Sequence, residues 1–420
     1  MDRRELLKQN DSAVYTALIN EEKRITEGLE LIPSENYTYP EAMELLGSVF
    51  TDKYAEGYPG KRYYGGNENV DVIESLAIER AKELFRAEHV NVQPLSGSPM
   101  NQAVYFAVLN PGDTVLAMDL SHGGHLTHGH PVSHMSKIFN FIRYKSNPDN
   151  EGKIDFEELM KLAIEHKPKM ILCGYSSYPR DYDYADFKKV ADAVGAITMA
   201  DVAHIGGLIA GGVMRNPLDY GFDIMTTTTH KSLRGPRGGM ILCKKEFAAA
   251  IDKSVFPGLQ GGPHENNIGA LAVTLGKALK PEFKEYANQV MKNSKTLAQE
   301  FLDNGIKLVT GGTDNHMMVI NTVESFGIDG KVAQETLEKT GISLNKQVIP
   351  DDTNPPMRPS GIRLGTPAVT STGMKEEEMK KIANWIIKAL KNPTDEILLS
   401  SIKSEIKALR VNFVVPALRK

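Results

Sequence analysis

Five of the chain's eleven histidines fall within fourteen residues, in the stretch SHGGHLTHGHPVSH at positions 121–134. Histidine is the commonest protein ligand of transition metals, so a metal centre is the first chemistry to consider. The stretch contains no cysteine or carboxylate to complete such a site, and its glycines indicate a loop rather than the helix of an HExxH motif. We therefore expect no metal here. The histidines in question are His122, His125, His128, His130 and His134.

A lysine in the stretch TTTTHKSLRGPRGG, residues 226–239, has the surroundings that covalent catalysis requires. Lys231 follows an apolar strand and precedes a glycine-rich turn, so its amine can be partly withdrawn from water. Such a lysine can form a Schiff base with a carbonyl compound. A solvated lysine at the end of a strand is the alternative, and it stays open on these residues alone.

The stretch ADVAHIGG, residues 200–207, carries an acidic group at the end of another apolar strand. Pyridoxal phosphate chemistry needs an acidic partner for the nitrogen of the pyridine ring, and Asp201 could supply it. The small Ala203 would leave room for a flat ring. A helix cap or a metal ligand is the alternative role for Asp201.

The stretch LSGSPMNQAV, residues 95–104, places a turn of Ser96, Gly97 and Ser98 before a helix. Backbone N–H groups and hydroxyls at a helix N-terminus can hold a phosphate. The stretch matches neither the P-loop nor the dinucleotide-binding motif. An ordinary capped turn is the alternative.

The order of the elements predicts an α/β protein. Short apolar strands alternate with amphipathic helices from about residue 70, which is typical of a mainly parallel sheet covered by helices on both faces. After a Gly/Pro loop at 256–267, one long helical stretch at roughly 265–303 leads to a smaller α/β unit. The predicted parts are an N-terminal helical arm (1–50), a large domain (51–280) and a small C-terminal domain (281–420).

Composition narrows the class of protein. A formal net charge of −4 gives no support for binding to nucleic acid or to an anionic membrane. The N-terminus lacks the apolar core of a signal peptide, and no stretch reaches the ~18 apolar residues of a membrane span. Both cysteines, Cys173 and Cys243, lie in apolar runs and are expected to be buried thiols of a cytoplasmic protein.

Six further motifs appear in the chain: LIPSEN, KYAEGYPGKRYYGG, HGGHLTHG, FPGLQGGP, GGTDNH and SGIRLGTPA. Together with the three stretches that contain Lys231, Asp201 and Ser96, in this order, they closely resemble the serine hydroxymethyltransferase family over residues 20–390. The resemblance implies the aspartate-aminotransferase-like fold (fold type I) and pyridoxal 5'-phosphate as cofactor. It also implies serine and tetrahydrofolate as substrates, glycine as product, and a homodimer with shared active sites.

The resemblance assigns the cofactor site. Lys231 corresponds to the lysine that carries the cofactor as a Schiff base, and Asp201 to the partner of the ring nitrogen. His125 is expected to stack on the ring face opposite Ala203. The residues near the ring's phenolic oxygen are His204 and Ser176. The residues on the phosphate side are Ser96, Gly97, Ser98 and His230, with Gly262 and Tyr54 supplied by the neighbouring subunit.

The resemblance also assigns the substrate site. Arg363 corresponds to the residue that grips the substrate carboxylate, for which a guanidinium is well shaped, and Ser34 is a second contact. Glu56 corresponds to the acid–base carboxylate that handles the serine hydroxyl, with Tyr64 beside it, and in the family both reach across the dimer interface. Arg237 is expected to support the geometry of the site.

The folate residues implied by the resemblance are Leu120, Gly124, Leu126 and Gln347. Two departures from the family pattern fall in this region. Gln347 stands where an asparagine is usual, which keeps the amide but lengthens its reach. Pro355, Pro356 and Met357 stand where Ser-Pro-Phe is common, which removes an aromatic contact.

Related chemistries on the same scaffold are the nearest alternatives, namely an aldolase for 3-hydroxy amino acids or a transferase for 2-methylserine. Serine cleavage that depends on tetrahydrofolate separates them from the transfer reaction. An RNA-binding or scaffold protein without catalysis, and a metal-dependent hydrolase built on the histidines, are alternatives of other classes.

Overall fold

The computed structural model describes residues 3–147, 150 and 152–418. The N-terminal segment contains three helices and one short strand before residue 50. They are α1 (Arg3–Asn10), α2 (Ser12–Glu27), β1 (Leu29–Glu30) and α3 (Pro40–Leu46).

The middle of the chain alternates between strands and helices. Its elements are β2 (Gly57–Tyr58), β3 (Lys61–Arg62), α4 (Glu68–Phe85), β4 (His89–Asn91), α5 (Gly97–Val108), β5 (Thr114–Met118), β6 (Asn140–Tyr144), β7 (Ser146–Asn147), β8 (Lys153–Ile154), α6 (Phe156–His166), β9 (Met170–Gly174), α7 (Tyr184–Val194), β10 (Ile197–Asp201), α8 (Gly206–Ala210), β11 (Ile224–Thr228), β12 (Gly239–Cys243), α9 (Ala248–Lys253) and α10 (Glu265–Ala278).

The remainder forms a smaller unit with its own sheet. Its elements are α11 (Pro281–Asp303), β13 (Met317–Asn321), α12 (Thr322–Phe326), α13 (Gly330–Lys339), β14 (Ile342–Ser343), β15 (Asn345–Gln347), β16 (Gly361–Gly365), α14 (Pro367–Ser371), α15 (Glu376–Lys391) and α16 (Glu396–Arg410).

A seven-stranded sheet forms the centre of the large unit, in the order β4-β12-β11-β10-β9-β5-β6. The five strands from β11 to β6 run parallel, and β12 runs antiparallel to both of its neighbours. Alternate residues face opposite sides: Leu116 and Met118 join one apolar core, while Val115 and Ala117 join another. Because both faces are covered, the strands are apolar throughout, which confirms the predicted α/β class.

The small unit packs around an antiparallel sheet of order β13-β16-β15. Helix α11 connects the two units: Tyr286 and Val290 lie in the large core, and Leu297 and Phe301 lie in the small one. The N-terminal strand β1 pairs in parallel with β14, so this part of the arm joins the small unit. The predicted domain boundaries stay predictions.

One sequence expectation is corrected. The single helix expected at about 265–303 is two helices, α10 and α11, separated at residues 279–280. The break has a local cause, because Pro281 has no N–H to continue a helix but is well suited to the first turn of a new one, where it lies. Across the described residues, no helix is both long and apolar enough to cross a bilayer.

A buried arginine anchors the β2–β3 hairpin to two helices. Arg62 donates from Nε to Asp71 Oδ1 (2.9 Å) and from Nη2 to Glu74 Oε2 (2.6 Å), both on α4. Its Nη1 lies 3.8 Å from Glu265 Oε1 at the start of α10. Burial raises the pKa of Glu265 to about 9, so one proton stays within this cluster at neutral pH.

We predict that Arg62→Met destabilises the protein, because Glu74 and Glu265 lose their only nearby cation among the described residues while remaining buried. The loss expected for breaking such a cluster is about 3 kcal/mol in the free energy of unfolding. Urea unfolding followed by circular dichroism measures it.

The matched control is Arg86→Met, which removes the exposed pair between Arg86 and Asp219. Exposed pairs are screened by water, so this variant should lose less than about 1 kcal/mol. Equal losses in the two variants would contradict the assignment of the Arg62 cluster as a structural anchor.

Candidate active site

The carboxyl ends of the parallel strands meet at one edge of the large sheet, where ligands bind in this class of fold. Asp201 is the last residue of β10 and Gly174 the last residue of β9, and the two are paired in register. A side chain at position 174 would come within 2.4 Å of the Asp201 carbonyl oxygen, so the close approach requires glycine. Lys231 lies three residues beyond the end of β11.

Asp201 is held by three donors. Its Oδ2 accepts from Asn101 Nδ2 (2.8 Å) and lies 3.0 Å from His128 Nε2, while its Oδ1 accepts from the Ala203 N–H (3.0 Å). Burial alone would raise the pKa of Asp201, but the hydrogen bonds from His128 and Asn101 reverse this and hold it well below its usual range. Asp201 therefore remains a carboxylate inside the protein.

The amine of Lys231 has no hydrogen-bond or ion-pair partner among the described residues. Burial lowers the pKa of Lys231 to about 8; the Asp201 carboxylate opposes this, and the positive charges of Arg363 and Arg237 add to it. An amine with this pKa is partly neutral near pH 7 and can attack a carbonyl carbon. Arg237 itself is exposed.

His125 lies above this edge in the histidine loop. Its Nδ1 is 2.8 Å from the Thr127 hydroxyl, and its backbone N–H donates to His128 Nδ1 (3.3 Å). Burial lowers the pKa of His125 to about 4, so its ring is neutral. His128 binds the Asp201 carboxylate directly, with its Nε2 3.0 Å from Oδ2.

The other histidines of the loop have separate surroundings. His122 is buried with Nδ1 3.1 Å from the Ser146 hydroxyl, His130 Nδ1 accepts from the Val132 N–H (3.3 Å), and His134 is exposed. Within the described part of the chain, no three His, Cys, Asp or Glu side chains are placed to hold a metal ion.

Arg363 reaches the site from β16 of the small unit. It donates from Nε to Asn345 Oδ1 (3.1 Å) and from Nη1 to the Ser176 carbonyl oxygen. Burial lowers the pKa of Arg363 to about 10, and no described carboxylate pairs with it. The Ser176 hydroxyl donates to the Gly124 carbonyl (3.0 Å), which ties this segment to the histidine loop.

Two further histidines, both neutral, lie near Lys231 and Arg363. The His204 and His316 rings are stacked with centroids 5.6 Å apart, and Nδ1 of the first lies 3.4 Å from Nε2 of the second. Burial lowers the pKa of His204 far below its usual range and that of His316 to about 3. His230, beside Lys231, is also neutral, because burial lowers its pKa to about 3.

The N-terminus of α5 offers an anion site on the same edge. Ser96 is the capping residue, but its side chain makes no capping bond, so the first backbone N–H groups stay available. A side chain at Gly97 would meet the Thr228 methyl group at 3.0 Å. Thr228 in turn donates to the Ala203 carbonyl (3.2 Å), which places this turn next to the Asp201 strand end.

A second group of predicted site residues lies together elsewhere on the chain. Tyr54 and Tyr64 have ring centroids 5.2 Å apart, and both rings are about half exposed. Gly262 adjoins the Tyr54 ring, and Gly261 adjoins the Glu56 carboxylate. No described hydrogen bond, ion pair or ring contact joins this group to the residues around Lys231.

The predicted substrate and folate residues lie in three segments. Ser34 is half-buried in the loop after β1, next to the end of β16. Gly124 is required as glycine, because a Cβ there would lie 2.3 Å from the Met118 carbonyl oxygen. Leu126 is 46% exposed and Leu120 is half-buried. The amide of Gln347 donates to the Val348 carbonyl (2.9 Å).

The residues present fit pyridoxal phosphate. They combine an unpaired lysine amine, a buried carboxylate, a neutral imidazole and a helix N-terminus with free N–H groups.

The sequence did not predict the role of Asn101, which donates to Asp201 and accepts from the Thr226 hydroxyl (3.0 Å). Its signal is its position one turn before Val104 and Tyr105, on the buried face of α5, where an amide side chain calls for a partner.

Comparison with known proteins agrees with this geometry. The family model for serine hydroxymethyltransferase matches residues 7–386. A protein of Koribacter versatilis (strain Ellin345) named serine hydroxymethyltransferase is 52% identical over 403 residues, which cover 96% of this chain and 94% of that protein. These matches confirm the predicted fold type I architecture, with pyridoxal phosphate as cofactor and tetrahydrofolate as co-substrate. The chain belongs to the serine hydroxymethyltransferase family.

Proposed function

We propose that two copies of the chain together form a site that moves the hydroxymethyl carbon of serine to tetrahydrofolate and leaves glycine. The observation that carries the proposal is the charge pattern at the sheet edge. Two cations, Lys231 and Arg363, lie close enough to interact electrostatically near the buried carboxylate of Asp201, and neither has an ion-pair partner among the described residues. An anionic cofactor and an anionic amino acid complete this pattern.

When bound, pyridoxal phosphate supplies an electron-poor ring that stabilises negative charge at the α-carbon of the amino acid. Asp201 keeps its charge and holds the proton of the ring nitrogen. The N-terminus of α5, with the hydroxyls of Ser96 and Ser98, binds the phosphate. His125 covers the ring without adding charge, because its imidazole is neutral.

Arg363 binds the substrate carboxylate, and Ser34 is a second contact. The Arg363 guanidinium is fixed by Asn345 and the Ser176 carbonyl, so it is oriented before the substrate arrives. Such preorganisation lowers the entropy that binding must offset. The arginine lies on the small unit and the lysine on the large one, so substrate binding spans the two.

Glu56 acts from the partner copy. It accepts the proton of the serine hydroxyl, with Tyr64 beside it. Arg62 fixes this segment by donating to the backbone carbonyls on both sides of Glu56, those of Ala55 (2.8 Å) and Gly57 (3.0 Å). The exposure of Val49, 77%, and of the tyrosines that flank Glu56 supports an interface with a second copy.

Folate binds beside the histidine loop, against Leu120, Gly124 and Leu126, with Gln347 as an amide contact. We place the reaction in the cytoplasm, supported by two buried cysteines that are both free thiols.

The direct test of the whole function is incubation of the protein with serine and tetrahydrofolate, followed by measurement of the glycine formed. Glycine formed equally fast without folate would favour the aldolase reaction instead.

We predict that Lys231→Ala abolishes covalent attachment of the cofactor, seen as loss of its visible absorbance, and abolishes glycine formation. In the native protein only the neutral amine attacks the cofactor's carbonyl. Because the pKa of Lys231 is about 8, the rate of cofactor uptake by the cofactor-free protein should rise with pH through about 8 and level off above it. An uptake rate independent of pH from 6 to 10 would contradict the assigned amine.

We predict that Arg363→Ala raises the KM for serine about 100-fold, the effect of losing charge-assisted hydrogen bonds to a carboxylate. Arg363→Lys should recover only part of this, because an ammonium lacks the planar fork. Steady-state kinetics measure both. Retained cofactor absorbance serves as the control that the pocket is intact, and an unchanged KM would remove Arg363 from the substrate site.

We predict that two inactive variants, Lys231→Ala and Glu56→Gln, restore activity when their subunits are mixed. If Lys231 and Glu56 of one site come from different copies, a mixed dimer has one intact site and one doubly damaged site. An equal mixture then has about a quarter of the native activity. Mixtures that stay inactive after subunit exchange, checked by mass spectrometry, would show that both residues act within one copy.

A further inference from the structure

Asn36, in the LIPSEN segment, uses its whole amide. Its Nδ2 donates to the Lys231 carbonyl oxygen (3.0 Å) and to the Tyr286 hydroxyl (2.8 Å). Its Oδ1 accepts from the Ser371 hydroxyl (2.6 Å) and from the Tyr37 N–H (2.9 Å). An asparagine side chain has two donor hydrogens and two acceptor lone pairs, and all four are engaged.

The partners of Asn36 belong to different parts of the chain. Lys231 follows the central sheet, Tyr286 lies on the connecting helix α11, and Ser371 ends α14 of the small unit. Tyr37 belongs to the arm. One side chain therefore links every part of the molecule to the peptide group of the lysine that holds the cofactor.

A second residue, Arg234, also stabilises the turn that carries Lys231. Arg234 has a left-handed backbone (φ 65°), which costs energy for a residue with a side chain, and its N–H donates to the Lys231 carbonyl (3.0 Å). Its guanidinium lies over the rings of Tyr39 (4.4 Å) and Tyr286 (5.0 Å). Several contacts therefore fix the backbone of this turn, as expected where a strained conformation has to be maintained.

We propose that Asn36 is a positioning residue that couples the placement of the small unit to the orientation of Lys231. The proposal rests on the function proposed above for Lys231. When the small unit shifts with Arg363 on substrate binding, Ser371 moves the Asn36 amide, and the amide moves the Lys231 peptide. Asn36 acts only through Lys231 and does not touch the reacting atoms.

The test compares Asn36→Ala and Ser371→Ala with a matched control, Asn293→Ala. Asn293 is a fully buried amide, whereas Asn36 is partly buried, and Asn293 holds the same part of the small unit through Thr370 Oγ1 (2.9 Å) and the Met374 carbonyl (2.9 Å). It makes no described contact with Lys231. A loss of stability alone should therefore be similar in the control.

The deciding readout is the pH midpoint of cofactor uptake by the cofactor-free protein, which we expect to follow the Lys231 pKa of about 8 in the native chain. We expect Asn36→Ala and Ser371→Ala to raise the midpoint by about 0.5 to 1 unit, because a loosened turn returns the amine to water. We expect kcat to fall about tenfold in both. In Asn293→Ala the midpoint should stay within about 0.3 pH unit of native and kcat within about twofold, while thermal unfolding occurs at lower temperature.

Three results would overturn the proposal: a native midpoint in Asn36→Ala, an equal shift in the Asn293→Ala control, or a native midpoint in Ser371→Ala. A shift in Asn36→Ala but not in Ser371→Ala would remove the coupling to the small unit. If Asn36→Ala does not fold, the comparison of Ser371→Ala with the control decides. Failure of the proposed function looks different, since the native chain would then take up no cofactor at all.

Discussion

A carboxylate buried in the protein, Asp201, is the constraint on which the rest of the site depends. Burial favours the neutral acid, so a charged Asp201 requires donors that replace the lost water. Three come from three separate segments: Asn101 on α5, His128 in the histidine loop, and the Ala203 N–H just beyond the strand. The histidine loop is thus fixed by the need to satisfy one charge, and the same arrangement leaves His125 facing the pocket.

Few of the basic side chains around Asp201 carry a positive charge. The imidazoles of His125, His204 and His316 are all neutral, because burial lowers the pKa of each. The excess positive charge therefore resides on Lys231 and Arg363, where anionic ligands can use it. Three additional imidazolium charges would raise the cost of burying this site and would hold ligands less selectively.

The site is also distributed over the fold. The sheet edge supplies Asp201 and Lys231, and the small unit supplies Arg363. The N-terminal arm pairs with the small unit through β1 and β14, and its LIPSEN segment brings Asn36 to the turn that carries Lys231. Glu56, just before the β2–β3 hairpin, lies in a separate group with the exposed rings of Tyr54 and Tyr64. The relative placement of the two units therefore sets the distance between Arg363 and Lys231, the groups proposed to bind the substrate and the cofactor.

The sequence alone was enough to predict the α/β class, the covered parallel sheet and the family. These follow from local patterns: short strands that are apolar throughout, amphipathic helices, and motifs whose residues lie close together in the chain. It also indicated that Lys231 and Asp201 carry the chemistry. It did not predict the break before Pro281 or the role of Asn101. Only the tertiary structure decided which groups satisfy Asp201, which histidines are neutral, and that Asn36 meets Lys231 across 195 residues. The physical reason is that burial and long-range hydrogen bonds depend on which segments pack together, which no local pattern records.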